Sequence, residues 1–315
     1  MSSPVRKPGL IRSPNPDQDR VGSQAERPPA EIAVGVARLR DGAWSEDSDA
    51  LAAEEPLEIR LTWGEDGVIE RKSLAVTMRT PGDDFALAAG FLYGEGIVRM
   101  REDIVDVAFC QDEDEEQRFN IVTVTLRPGL TFDTARLQRN VFATSSCGVC
   151  GKANLEALAV MGCELVPDGF SLAPELVQAF PQAIRQAQGI FSRTGGLHAA
   201  ALFAPDGTIV SLKEDIGRHN ALDKVIGAEL LAGRAPLNNR GVVLSGRAGF
   251  ELLQKALVAR IPVVIALGAP SSLAASLANE FGITLVGFTR PDSFNVYSRP
   301  DRIRNAALAN GAARG

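Results

Sequence analysis

Two hydrophobic periods alternate along the chain and divide it into strands and helices. Residues 57–63, Leu-Glu-Ile-Arg-Leu-Thr-Trp, carry apolar side chains at every second position, the pattern of a half-buried strand. The turn sequence Gly64-Glu65-Asp66-Gly67 follows, and residues 68–78 are predicted to return as a second strand. Thr80-Pro81-Gly82-Asp83-Asp84 reads as a loop and helix start, with acidic residues suited to a helix N-terminus, and the helix runs over residues 85–92. Strands are predicted over 104–109 and 120–126, with the acidic run 112–116 as a solvated hairpin tip between them. A helix over 153–160 follows, with Leu155, Leu158 and Val160 near one face.

The second half has a different rhythm. Residues 174–188 predict one long helix, with Pro181 as a candidate break. Residues 198–204 and 208–213 flank Pro205-Asp206-Gly207, a hairpin signal. Then come a helix over 220–232, a short apolar strand at 241–245, a helix at 249–259, a strand at 262–267, a helix at 271–280 and a strand at 283–288. Alternating strand and helix argues for a parallel sheet covered by helices, made mixed by the hairpin.

Composition narrows the class. Of the 315 residues, 45% are hydrophobic, ordinary for a globular protein. A formal net charge of −6 gives no case for general nucleic-acid binding. No apolar run reaches the roughly 18 residues of a membrane helix. The N-terminus lacks the apolar core of a secretory signal, so the expected location is cytoplasmic. The Pro-, Ser- and Arg-rich residues 1–30 read as a disordered tail. The expected organisation is that tail, an N-terminal α+β domain over 31–166, a C-terminal α/β/α domain over 167–300, and a short tail over 301–315.

Four cysteines in a reducing compartment point to chemistry or metal rather than a disulfide scaffold. Two of them form Cys147-Gly148-Val149-Cys150, just before the predicted helix at 153–160. Unpaired amides and the dipole at a helix start favour a thiolate, which lowers the thiol pKa and raises its nucleophilicity. Zinc remains an alternative, but one Cys-x-x-Cys is half a structural site. Deamination lacks its proton-shuttling glutamate, because the histidine step reads His198-Ala199-Ala200. Thioredoxin-like exchange expects a shorter βαβ frame. Cys110 and Cys163 read as buried small hydrophobes.

Three loops follow strands of the second half: Ser245-Gly246-Arg247, residues 267–272 and Thr289-Arg290-Pro291-Asp292. All would lie at the carboxyl edge of the sheet, where a phosphorylated ligand fits, or they simply make tight turns. The stretch from Asp215 to Lys224 packs polar residues at a loop-to-helix junction, with His219 as a general base or Asn220 as a cap. His198 at a strand start fits a packed, hydrogen-bonded histidine.

Taken together these stretches resemble the formate dehydrogenase accessory sulfurtransferases, the FdhD/NarQ family. The matching segments are residues 79–84 (Arg-Thr-Pro-Gly-Asp-Asp), 90–96 (Gly-Phe-Leu-Tyr-Gly-Glu-Gly), 145–151 around the cysteine pair, 194–200, 214–224, the Ser245 and Gly268 loops, and 294–298 (Phe-Asn-Val-Tyr-Ser). The resemblance spans about residues 55–300. It implies a cytidine-deaminase-like three-layer α/β/α domain with a mixed sheet, a smaller α+β domain and a homodimer. It implies a sulfurtransferase that takes sulfur from a cysteine desulfurase and passes it to the molybdenum or tungsten bis-pterin guanine dinucleotide cofactor for formate dehydrogenase. That cofactor is a bound substrate, and no resident cofactor or metal is expected. By the same resemblance Cys147 bears the persulfide, Cys150 is its companion, and Phe294, Asn295, Val296, Tyr297, Ser298 and Arg299 contact the cofactor. The rings of Phe294 and Tyr297 suit stacking, and equally suit a packed terminal strand. The alternative is a non-catalytic cofactor chaperone with a structural or zinc-binding cysteine loop.

Overall fold

A computed structural model describes residues 27–65, 68–110, 118–132 and 163–304. The cysteine pair Cys147 and Cys150, the predicted helix at 153–160, the acidic run at 112–116 and most of both tails lie outside the described residues.

The first two strands, β1 (Glu31–Arg40) and β2 (Ala43–Ala52), pair antiparallel through all ten positions as a separate two-stranded ribbon. Hydrophobic alternation does not announce them, since the centre of β2, Ser45 to Asp49, is an unbroken polar run and both strands are largely exposed. The alternating segment at 57–63 is the middle of β3 (Glu55–Glu65), which pairs antiparallel with β4 (Val68–Arg79). Leu57, Ile59 and Leu61 are fully buried, as the period of two requires. β5 (Ile104–Phe109) and β6 (Ile121–Leu126) complete a four-stranded sheet of order β4-β3-β6-β5, in which β3 and β6 run parallel.

The second sheet holds β7 (His198–Phe203), β8 (Ile209–Asp215), β9 (Gly241–Leu244), β10 (Val263–Ala266), β11 (Thr284–Gly287) and β12 (Asn295–Ser298) in the order β12-β11-β10-β9-β7-β8. β9, β10 and β11 are parallel, while β7, β8 and β12 run antiparallel to their neighbours, so the sheet is mixed. Its central strands are four-residue runs such as Val-Val-Ile-Ala, buried on both faces. One face meets α2 (Pro174–Ala187) through Val177, Phe180 and Ile184. Pro181 does not break that helix. The other face meets α4 (Arg218–Leu231), α5 (Phe250–Val258) and α6 (Ser272–Phe281). This is a three-layer α/β/α arrangement. A four-residue helix, α3 (Phe191–Thr194), precedes β7.

The two sheets share one core. α1 (Asp84–Gly94) packs against the four-stranded sheet on one side and α4 on the other, and its apolar residues join both sheets in a single buried cluster. The helix crossing depends on two glycines. A Cβ on Gly90 would lie 1.9 Å from the Asp223 carbonyl oxygen, and one on Gly227 would lie 1.9 Å from that of Ala86. Backbone at that distance cannot step aside as a side chain can. α4 is therefore buried on nearly every side, which explains why it lacks a clean amphipathic pattern in sequence.

Candidate functional site

The polar stretch that joins β8 to α4 divides into two environments. Asp215 is fully buried and saturated. One carboxylate oxygen accepts from the Gly217 amide at 2.8 Å and from Asn220 Nδ2 at 3.0 Å. The other accepts from the Thr80 amide at 3.1 Å and lies 2.7 Å from Lys224 Nζ. Lys224 in turn donates to the Thr80 carbonyl at 2.8 Å. Asn220 Nδ2 donates to the Met78 carbonyl at 2.8 Å, and Thr80 Oγ1 accepts from the Ile216 amide at 3.3 Å. The end of β4 is thus tied to the start of α4. Asn220 sits inside the helix and crosses to a neighbouring strand, which replaces the expected cap. Arg79, fully buried, extends the knot by donating to Asp84 at 2.7 Å and to the Phe119 carbonyl at 2.9 Å. A second buried pair, Lys255 and Asp223 at 2.9 Å, joins α5 to α4.

Beyond the knot the sheet edge opens. Parallel β9, β10 and β11 end there, and antiparallel pairing brings the start of β7, the end of β8 and the start of β12 to the same edge. The three loops are stitched to one another by backbone bonds. The Gly268 amide donates to the Gly246 carbonyl at 2.9 Å, Ser271 to Ala248 at 2.9 Å, and Phe288 to Gly268 at 3.0 Å. A Cβ on Gly268 would stand 3.0 Å from the Gly246 carbonyl, so glycine is needed for the loops to lie this close. His198 lies over Gly246, its Nδ1 3.2 Å from where a Cβ would stand.

Charge gathers on this edge. Arg247 and Arg290 are exposed, and Arg218 and His219 occupy the first turn of α4. That turn has no acidic residue, and its N-cap, Gly217, offers no side chain to its amides. By contrast Ser271 already caps α6, accepting from the Ala274 amide. Burial pushes the His198 imidazole below its ordinary pKa, and Arg218, His219 and Arg247 push it further in the same direction. His219 Nε2 meets Glu251 at 2.9 Å, and that bond, opposed by burial and aided by nearby cations, holds Glu251 below the usual carboxylate range. A neutral imidazole among guanidiniums, beside a helix start with no side-chain cap among the described residues, is chemistry suited to an anion of the phosphate type.

The C-terminal segment separates by parity. Phe294 and Val296 pack into the core beside α2. Ser298 is buried, donating to the Ile283 carbonyl at 2.6 Å and accepting from the Leu285 amide. Arg299 is held by Asp168 at 2.7 Å and Asp301 at 2.8 Å, which lowers Asp301 to about 2. Asn295 and Tyr297 expose their side chains, with Tyr297 beside Gly287 at the edge. Cys110 is buried and Cys163 half-buried, and burial raises the Cys163 thiol. Among the described residues, no three His, Cys, Asp or Glu side chains converge as metal ligands. No helix there is long and apolar enough to cross a membrane.

Arg218, His198 and the Thr80–Asp215–Lys224 knot are what reading of the sequence undervalued. His198 resembled a packed strand residue, and only pairing shows that it shares an edge with Arg218 and Arg247.

The fold and the edge define an α/β protein with a cationic, glycine-lined loop edge on a mixed sheet. Residues 52–304 match the model of the FdhD/NarQ family, and the chain belongs to that family. It is 49% identical over 284 residues to the sulfur carrier protein FdhD of Streptomyces avermitilis, covering 89% of this chain and 97% of that one. The sulfur carrier protein FdhD of Sulfolobus acidocaldarius is 39% identical over 270 residues, 86% of this chain and 97% of its own. A crystal structure from Desulfotalea psychrophila, assigned as a formate dehydrogenase accessory protein, superposes with a TM-score of 0.65 at 26% identity, covering 88% of this chain and all of that one.

Proposed function

We propose that this chain is a sulfurtransferase that carries sulfur for formate dehydrogenase. What carries the reading is the Cys147-x-x-Cys150 pair in a family whose curated members are called sulfur carriers. In the first step the Cys147 thiolate attacks the outer sulfur of a cysteine desulfurase persulfide. A new S–S bond forms on Cys147, the donor S–S bond breaks, and the donor cysteine leaves as thiolate. In the second step Cys150 attacks Cys147 Sγ, and the outer sulfur leaves as hydrosulfide toward the metal of the bis-pterin guanine dinucleotide substrate. The dithiol becomes a disulfide, which an external thiol reduces. The cationic edge supports a phosphorylated substrate: Arg218, Arg247 and the free amides of α4 would hold phosphate, and Tyr297 with Asn295 would meet a flat ring system. The working unit is a cytoplasmic homodimer.

Intact-protein mass spectrometry after incubation with a cysteine desulfurase and cysteine tests the reading. One added, reductant-labile sulfur mapping to Cys147, absent in Cys147→Ala, is the expected result. If Cys147→Ala supports full client activation, sulfur carriage falls and a cofactor chaperone replaces it.

A further inference from the structure

β11 ends at the open edge with a residue that the fold holds outward. Phe288 is the only exposed phenylalanine among the described residues, at 45%. Among those residues it joins neither buried cluster and pairs with no other ring. Its backbone is left-handed, with a φ of 52°. Of the five non-glycine residues with positive φ among the described residues, it alone has an apolar side chain. A bulky L-residue is disfavoured in that conformation, and backbone outliers of this kind gather at ligand sites.

The exposure is enforced by both neighbours. Gly287 is buried, and a Cβ there would meet Pro270 Cδ at 2.7 Å and Tyr297 Cε2 at 3.2 Å. Thr289 is fully buried, and its hydroxyl donates to the Ala266 carbonyl at 2.9 Å. Between them the Phe288 amide donates to the Gly268 carbonyl at 3.0 Å. Arg290 fastens the turn, its Nη1 donating to the Leu267 carbonyl at 2.7 Å and to that of Thr289 at 2.9 Å. The Phe288 ring can reach the core only by breaking these bonds. Glycine would take this backbone without penalty, so what phenylalanine adds is its ring at the edge. Gly268, which accepts from the Phe288 amide, also lies against Arg247: a Cβ there would stand 3.1 Å from Arg247 Cγ. The ring and the Arg247 guanidinium therefore stand on adjoining loops.

From this placement we infer that Phe288 is the platform on which the guanine ring of the phosphorylated substrate stacks, and so a specificity-determining residue of the edge. The inference rests on the guanine dinucleotide reading above and deepens it. A nucleotide carries a flat base one sugar away from its phosphates, and the edge offers a flat apolar ring one loop away from Arg247. Stacking gains most from a ring already held in place, which the pinned turn supplies. Arg247 would read the phosphate and Phe288 the base.

Calorimetry on the full chain with GDP and with pyrophosphate separates base from phosphate. Phe288→Gly is expected to bind GDP at least about 10-fold more weakly and pyrophosphate within about 2-fold of the wild type. Its thermal midpoint should not fall, because glycine fits the left-handed turn. Phe288→Trp is expected to keep the affinity for GDP. Its tryptophan fluorescence should be quenched by GDP and not by pyrophosphate, beyond any change seen in the wild type. Equal GDP affinity in the wild type and Phe288→Gly, or an equal loss for both probes, overturns the stacking assignment alone. A wild type that binds pyrophosphate as tightly as GDP does the same. A wild type that binds neither probe overturns the phosphorylated-substrate reading, and the stacking with it.

Discussion

Asp215 and Arg218 are three residues apart and lead opposite lives. Asp215, with Lys224 and Asn220, is buried and bonded at every polar atom that faces the β4 turn. Arg218 and His219 stand at the open edge with uncapped helix amides beside them. A single polar-rich segment therefore does two jobs. Its buried half ties the end of β4 to the start of α4, and its open half presents charge at the sheet edge. Residue type does not separate the two; burial and bonding partners do.

The sharpest way to break the buried half is Lys224→Met. It leaves the Asp215 carboxylate buried without its counter-charge, and removing one member of such a pair costs about 3–5 kcal/mol. Urea denaturation should show that loss, and a change below about 1 kcal/mol would show that the knot is not structural. Next is Gly227→Ala. Alanine favours the helix by about 1 kcal/mol over glycine. Here, though, its Cβ meets the Ala86 carbonyl at 1.9 Å, so α1 and α4 must part. Overpacking of this kind costs roughly 1–3 kcal/mol, and a net loss of stability by thermal or urea unfolding is expected. A stabilised Gly227→Ala protein would contradict the close crossing.

These residues also show what sequence can reveal. Period-two alternation located β3, and strand–helix alternation located the mixed sheet, because burial on one or both faces writes itself directly into hydrophobic pattern. α4 was harder to bound. Its first turn holds Arg218 and His219, and sandwiching between α1 and a sheet buries Asp223, Lys224 and Glu229 among its apolar residues. β1 and β2 were unreadable because, among the described residues, both strands are largely exposed, so no inward pattern was needed. The edge loops were legible from their Gly, Ser and Arg content. The convergence of His198 with Arg218 and Arg247 was not, since it depends on antiparallel pairing between segments far apart in sequence. Cys147 and Cys150 stood out by spacing alone and lie outside the described residues.

The open edge is tested by Arg218→Ala and Arg247→Ala. Each removes a half-buried or exposed guanidinium that bonds nothing in the knot, so stability should stay within about 0.5 kcal/mol of the parent. Affinity for a guanine nucleotide, measured by calorimetry, should fall about 10-fold for each and weaken with added salt. Equal affinity in both variants would move the anion site away from this edge.

The smallest effect is the most diagnostic of the edge itself. Burial first, then Arg218, His219 and Arg247, depress the His198 pKa, so the imidazole is neutral at pH 7 and its titration by nuclear magnetic resonance should lie below the ordinary value of about 6.5. The sign for stability follows. A group with a lowered folded pKa contributes fully above its unfolded value, and that contribution is lost as pH falls through the lowered one. A bound phosphate adds negative charge beside the ring and should raise its pKa. Arg218→Ala should also raise it, though only in part, because burial is the larger cause and survives the substitution. A His198 pKa that ignores both phosphate and Arg218→Ala would mean that the ring and the guanidiniums do not share one site.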